Sequence, residues 1–577
     1  MVLDELRQLM TAHNLDAYIV VTSDPHNSEY LAEYYKERAY LTGFSGSQGT
    51  AVVTQDEAYL WADGRYFEQA EREIQNTGFQ LQKIAVEGYP TVKEYLDSLK
   101  AARIGFNALY MPISQYKELT KGLDSTFVDI DLFKTLWTDR ALPKTTSFSH
   151  KEYSVVTSAE KLTQVRSKMT SLGATALLIS SLEDISYLTN SRGGDISRVP
   201  VTFAYVLLTS DESMLFIDSD KIRDFRSELE ENFTILPYES IFEVLEQISE
   251  ERFVLADHVN TRLYQLIEAH NSVVDHTNIV GMMKCIKNQN ELSHMKASHL
   301  RDGAYVTEFM YYLKTQAMEG ETEWTLSERL DKLRATDPKY YDLSFETISA
   351  YGPHGSMMHY KADEKTAAPV EKKGFLLVDS GGQYMDGTTD ITRTFAMGPL
   401  TEEEKYHFTY VLKSHFNLMN AVFPKGTTSK TIDGIARSVV WQIMEEYRCG
   451  TGHGVGYMLG VHETPPNLNQ KNDMVLEPGM VLSNEPGIYK DGRHGIRTEN
   501  LMTVVEHGTS DYGTFYGFEN LTFVPYDVDA IDVSLLTDKE LETLNSYHHE
   551  VYDKISPLVS DKVRTWLYDA TKPLERQ

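Results

Sequence analysis

Cysteine is almost missing from this chain. Cys285 and Cys449 are the only two among 577 residues. Two thiols cannot build a disulfide framework, which excludes the small cross-linked secreted scaffolds and fits a reducing, cytoplasmic compartment. Long apolar runs are missing too. No stretch of about 18 apolar residues occurs, so no membrane span is expected. The opening MVLDELRQLMTAHNLDAYIV carries early acids and no unbroken apolar core, so no secretory signal is expected either. Positive charge is the third shortage: 55 Lys+Arg stand against 85 Asp+Glu, a net −30. Such a surface is repelled by phosphate backbones and anionic lipid, and neither nucleic acid nor a membrane is expected as a partner. The acid excess serves solubility first, and part of it is available to bind cations.

The length is too great for one hydrophobic core and suggests three or four domains. An internal repeat organises the first half. Leu6 to Met10 opens an amphipathic helix and Ala17 to Val21 reads as a buried strand. The same order returns at Val165 to Met169 and Ala176 to Ile179, and Tyr40-Leu41-Thr42 is matched by Tyr187-Leu188-Thr189. Each match leads through a glycine-bearing turn to a further apolar strand, Ala51 to Val53 and Ala204 to Leu208. The expected organisation is therefore two α/β modules, 1–150 and 151–287, with a polar linker at Lys144 to Ser147, followed by a third domain over 288–577. Gly43 to Gly49 lacks the Lys-Ser/Thr ending of a phosphate loop and reads as a turn. Asp63-Gly64 is also a turn, and it presents Arg65 between aromatic residues, as a salt bridge or as a substrate contact.

From Asn288 the pattern changes. Glu291 to Lys314 has helical spacing, and Leu343 to Ile348 alternates like a strand. Phe375 to Val378 is an apolar strand running into Asp379. Asp386-Gly387 is a turn, and Thr388 to Phe395 is a β-branched segment carrying Asp390. Such a hairpin brings the two aspartates together, where they repel unless a proton or cation lies between them. Thr401 to Met419 and Thr428 to Tyr447 read as helices, the first with a Thr cap and Glu404 three residues on. His453 sits in the glycine-rich Gly450 to Gly456. Glu485 and Glu499 then flank a second turn at Asp491-Gly492, repeating the logic of the aspartate hairpin. Leu521 to Pro525 reads as a strand and Asp538 to Ile555 as a helix.

Taken singly, each of these acids is an ordinary solvated carboxylate, and His453 an ordinary structural histidine. Two carboxylate pairs on two hairpins plus one imidazole are less ordinary. Asp379, Asp390, His453, Glu485 and Glu499 form a hard, oxygen-rich ligand set without thiolate. It suits two divalent ions, Mn²⁺ first, with Co²⁺, Zn²⁺ and Fe²⁺ as alternatives.

These motifs carry a resemblance. DSGGQYMDGTTDITRTF, GTGHGVG, NEPG and GIRTEN are similar to the five-ligand set of the pita-bread metallopeptidases. HNSEY at 26–30, RAYLTGFSGSQGTA at 38–51, WADGRYF at 61–67, DLSFETIS at 342–349 and YGFENLTFVP at 516–525 resemble the three-domain cytosolic aminopeptidase P group within them. The resemblance implies an α/β chain: two creatinase-like N-terminal modules and an α+β pita-bread catalytic domain with a C-terminal extension. It implies release of the first residue from peptides with proline second, by a hydroxide bridging two metals. Asp390 and Glu499 would bridge, His453 would bind one ion, and Glu485 would also move the proton to the leaving nitrogen. His359 and His462 would bind substrate and stabilise the oxyanion, Arg65 would touch substrate, and Arg497 would steady the ligands. A homodimer is implied as well.

One position departs from the pattern. Cys449 stands where the family commonly has histidine, and only a weaker contact is expected there. Prolidase, which cuts Xaa-Pro dipeptides, uses the same five ligands and is the alternative enzyme. A non-catalytic peptide-binding module or a creatinase-like hydrolase on this fold would lose ligands, and all five are here.

Overall fold

The computed structural model describes residues 2–316 and 319–576. It divides into two compact units, Met1–Gly281 and Met282–Gln577. Among the described residues no helix is long and apolar enough to cross a membrane.

The first unit contains the repeat as two six-stranded sheets. One runs Gln80–Lys83, Ala58–Ala62, Thr50–Thr54, Ala17–Val21, Arg103–Phe106, Thr126–Asp129 across its width. The other runs Thr234–Leu236, Ser213–Ile217, Ala204–Thr209, Ala176–Ile179, Arg252–Leu255, Ser272–Asp275. In each, the strand after the first helix pairs antiparallel on one side and parallel on the other. These strands are apolar because helices cover the sheets. His26 joins the two halves: Nδ1 donates to the Ser180 carbonyl at 2.8 Å and Nε2 accepts from the Tyr238 hydroxyl at 2.7 Å. The ring stacks on Phe203. Burial pushes this imidazole down to about 3, so it is neutral in the folded chain. Below the ordinary histidine value of about 6.5 the unfolded chain takes up a proton that the folded chain refuses, and stability falls with pH. Between pH 7 and 5 the first unit should lose about 2 kcal/mol through His26. Hydrogen exchange in Ala17–Val21 measures this loss, and His26→Gln should remove that part of the slope.

The second unit opens with the helix Gln289–Thr315, started by an Asn288 capping box with Glu291. The helix Glu402–Met419 starts with the expected Thr401 and Glu404 box. Three sheets then build the site. Phe375–Ser380 lies between Ile348–Tyr351 and Ile391–Ala396. A six-stranded sheet runs Phe423–Pro424, Gly513–Asn520, Asn500–Ser510, Val481–Asn484, Gly452–Gly454, Glu463–Leu468. Gly487–Lys490 pairs with His494–Arg497.

Three expectations need correction. Leu343 to Ile348 is not one strand: Tyr340–Leu343 and Ile348–Tyr351 belong to different sheets. The chain crosses between them with Ser344 Oγ on the Thr389 carbonyl and Thr347 Oγ1 on Asp331. The helix expected to Tyr447 stops at Trp441, and Met444 takes a positive φ of 58°. Leu521 to Pro525 is not a strand, because its amides and carbonyls are used by Tyr547, Arg393 and the Leu501 carbonyl.

Candidate metal centre

Antiparallel register delivers the acids. Asp379 is opposite Thr392 and Ser380 opposite Ile391, so Asp390 lies just past the last pair, beside Asp379. Asn484 is opposite Asn500, so Glu485 and Glu499 leave the ends of paired strands side by side. Gly452 and Gly454 must be glycine: a Cβ at either would sit 2.0 Å from the Ser483 carbonyl oxygen or 2.5 Å from that of Glu463. This close approach sets His453 against the acids.

Ligand-capable atoms of Asp390, His453 and Glu499 all lie within 4.8 Å of one another. His453 Nδ1 is 2.8 Å from the Gly454 carbonyl. A carbonyl only accepts, so Nδ1 keeps its proton, and Nε2 is the nitrogen that faces the acids and can give up its proton to bind a cation. That Nε2 is 3.3 Å from Glu485 Oε1 and 3.5 Å from Asp390 Oδ2. Three of the four acids are braced. Arg497 Nη2 donates to Asp379 Oδ2 at 2.6 Å, Thr392 Oγ1 to Glu499 Oε2 at 2.8 Å, and Ser483 Oγ to Glu485 Oε1 at 3.0 Å. Three carboxylate oxygens are left over. Asp379 Oδ1, Asp390 Oδ1 and Glu499 Oε1 are buried with no hydrogen-bond partner.

The electrostatics express the same crowding. Burial, reinforced by Asp390 and Glu485 and opposed by Arg497, pushes the Asp379 carboxyl up to about 7. Burial and the neighbouring acids hold the Glu499 carboxyl well above the usual range. Burial also works against ionised Glu485, but its hydrogen bond to His453 outweighs this and draws the group down. Burial opposes charge on His453, yet Asp390 and Glu485 hold its pKa well above the ordinary histidine value. Carboxyls held above their ordinary range, with orphaned oxygens, mark a site short of positive charge. Hard divalent cations fit this donor set.

Of the other expected residues, His462 packs its ring edge-on against His453, with centroids 4.3 Å apart. His359 is half-buried in the turn after Gly352–Ser356. Arg497 reaches both sides of the site: Asp379 at one nitrogen and the Tyr489 hydroxyl at another. Arg65 lies in the first unit, clamped bidentately by Asp63 at 2.9 and 2.8 Å. The Cys449 side chain is half-buried against the core, and its backbone carbonyl accepts from Arg437.

Three supporting residues escape the sequence reading. Buried Glu323 accepts from the Tyr351 and Ala368 amides, His354 and the Tyr360 hydroxyl, and so shapes the loop that carries His359. Buried Asp302 and Arg334 pair behind the aspartate hairpin. Asp302 interrupts the apolar stripe Leu292, Met295, Val306, Phe309 of its helix, and a charge on a buried face is the signal that could have found it.

Comparison with known proteins follows the same division. Residues 293–506 match the model of metallopeptidase family M24 and 514–574 that of its C-terminal region. Residues 3–137 and 139–291 match models of the creatinase/prolidase N-terminal domain. A probable Xaa-Pro aminopeptidase P of Laccaria bicolor is 38% identical, over 99% of this chain and 93% of its own. Aminopeptidase P2 of Arabidopsis thaliana is 36% identical, over 97% and 86%. The crystal structure of an X-prolyl aminopeptidase from Caenorhabditis elegans, described as a cytosolic enzyme with a di-nuclear active site, superposes with a TM-score of 0.94 at 32% identity over 99% of both chains. An Xaa-Pro dipeptidase from Bacillus anthracis shares the fold over 64% of this chain, with a TM-score of 0.53 at 24% identity. The chain belongs to metallopeptidase family M24, in its aminopeptidase P group.

Proposed function

We propose that this protein is a metal-dependent aminopeptidase that releases the first residue from peptides with proline in the second position. The observation that carries the reading is the set of orphaned buried oxygens on Asp379, Asp390 and Glu499, two of whose residues, Asp390 and Glu499, cluster with His453. Asp379, Asp390, His453, Glu485 and Glu499 would hold two divalent ions, Mn²⁺ before Co²⁺, Zn²⁺ or Fe²⁺. Bound there, such ions supply Lewis acidity and water activation at neutral pH.

The chain's own residues do the remaining work. Glu485 receives the proton of the attacking water and passes it to the leaving nitrogen, which in an Xaa-Pro bond has no hydrogen of its own. His359 and His462 hydrogen-bond the scissile carbonyl and stabilise charge developing on its oxygen. Arg497 keeps Asp379 oriented, and Arg65 contacts the substrate. The enzyme would be cytosolic, as its C. elegans relative is described, and would assemble as a homodimer.

The test uses metal-stripped full-length protein, Mn²⁺ added back, and an Xaa-Pro-Yaa tripeptide beside an Xaa-Pro dipeptide. Free Xaa from the tripeptide, only with metal, is expected. Cleavage of the dipeptide alone would replace the reading with prolidase. No cleavage of either would point to a peptide-binding module.

A further inference from the structure

Glu485 and Glu499 lie just outside the strands that deliver them; their amides donate to the Thr451 and Thr392 carbonyls, and a ring of buried side chains holds the residues next to them. His415, on the helix Glu402–Met419, sits 3.0 Å from the Asn484 carbonyl through Nδ1. Its Nε2 sits 3.0 Å from the Tyr526 hydroxyl. The carbonyl accepts, so Nδ1 is the protonated nitrogen and Tyr526 must donate to Nε2. The Tyr526 oxygen keeps a lone pair, and the Asn500 side-chain amide donates to it at 3.1 Å. One hydroxyl thus joins the residue before one glutamate to the residue after the other. Arg393 closes the ring. It donates to the Glu499 carbonyl at 2.6 Å and to Asn500 Oδ1 at 2.8 Å, and its guanidinium lies 4.7 Å above the Tyr526 ring. The side chains of His415, Tyr526, Asn500 and Arg393 are all buried.

Tyr526 comes from the C-terminal extension, in the segment that forms no strand. Its amide donates to His548 Nε2 at 3.1 Å, on the helix Asp538–Ile555. The extension therefore reaches the centre through this hydroxyl, beside the Val524 and Pro525 carbonyls and the Tyr547 hydroxyl that hold Arg393.

We infer that Tyr526 and His415 are positioning residues: the C-terminal extension uses the Tyr526 hydroxyl, through His415 and Asn500, to hold Glu485 and Glu499 in the spacing that binds metal. The inference rests on the metal-centre reading above. It makes the extension part of the machinery that loads the ions.

Mn²⁺ titration of metal-stripped, full-length protein tests it without any substrate. Tyr526→Phe keeps the ring and removes the oxygen, and should weaken Mn²⁺ binding by about 10- to 100-fold. With Mn²⁺ at saturation, kcat for an Xaa-Pro-Yaa peptide should fall while KM moves by less than about twofold. His415→Leu should behave like Tyr526→Phe. His415→Gln can donate to the Asn484 carbonyl and accept from Tyr526, and should restore binding. A role in packing alone would lower the melting temperature of Tyr526→Phe and leave Mn²⁺ affinity unchanged, and that result overturns the inference. Should Tyr526→Phe fail to fold, the His415→Leu and His415→Gln pair decides: equal Mn²⁺ affinities in the two would also overturn it. A wild-type protein that binds no Mn²⁺, Co²⁺ or Zn²⁺ removes the metal-centre reading and this inference with it, an outcome distinct from normal binding in both wild type and variants.

Discussion

Asp302→Ala should cost the second unit about 3–5 kcal/mol, the penalty for stranding one member of a buried ion pair. Arg334 is wholly buried, and its Nε donates to Asp302 Oδ1 at 2.6 Å. Its Nη1 already has no partner, so without Asp302 the guanidinium would keep little besides the Ser380 carbonyl. Burial alone would favour a neutral Asp302, but Arg334 holds the carboxyl below its ordinary value, so the pair is charged. The same carboxylate accepts from the hydroxyls of Tyr384 at 2.9 Å and Thr389 at 2.6 Å. Ser380 and Thr389 adjoin Asp379 and Asp390, so the damage should reach the site as well as the core. Urea unfolding of metal-free protein gives the loss. The double variant Asp302→Leu with Arg334→Met should recover most of it, since no unpaired charge remains. A double variant as unstable as the single one would mean that shape and not charge carries the effect.

Asp390→Ala should abolish hydrolysis and weaken Mn²⁺ binding by more than about 100-fold, the upper end for losing merely an outer partner of a ligand. Asp390→Asn should rescue neither, because the amide lacks the charge that a hard cation requires. The effect on stability should have the opposite sign. Metal-free Asp390→Ala should melt no lower than the metal-free wild type, since one carboxylate has left a crowd of like charges. Saturating Mn²⁺ should raise the melting point of the wild type alone, by about 2.7 kcal/mol of stability at a hundred times Kd. Paired melting scans with and without Mn²⁺ measure both. A metal-free variant clearly less stable than the metal-free wild type would show that Asp390 serves the fold apart from any cation.

The acid hairpins are legible in the sequence because their signals are local. Asp379 and Asp390 are eleven residues apart, with a β-branched run and an Asp-Gly turn between and beyond them, and the register follows from those few residues. The repeat in the first unit is legible for the same reason. What joins the two hairpins is not local: Thr392 reaches Glu499 across 107 positions and Arg393 reaches Val524 across 131. No periodicity records such contacts. They also explain the misread strand at Leu521 to Pro525, whose composition suits a sheet but whose polar groups are taken by Arg393 and Tyr547. Glu323 was hidden because a glutamate at the start of a helix usually faces solvent, whereas here four donors enclose it.

The matched strand orders of the two N-terminal sheets are what a tandem duplication of one ancestral segment leaves behind. Copies begin as equals, and their differences record what each was later free to change. Counted from the ends of the equivalent strands Ala58–Ala62 and Ser213–Ile217, the first copy continues Asp63-Gly64-Arg65 and the second Asp218-Ser219-Asp220. The aspartate persists in both, and the third position has reversed its charge. The descendants have therefore parted company at the turn that carries Arg65: the earlier copy holds a cation there, and its sister holds an acid.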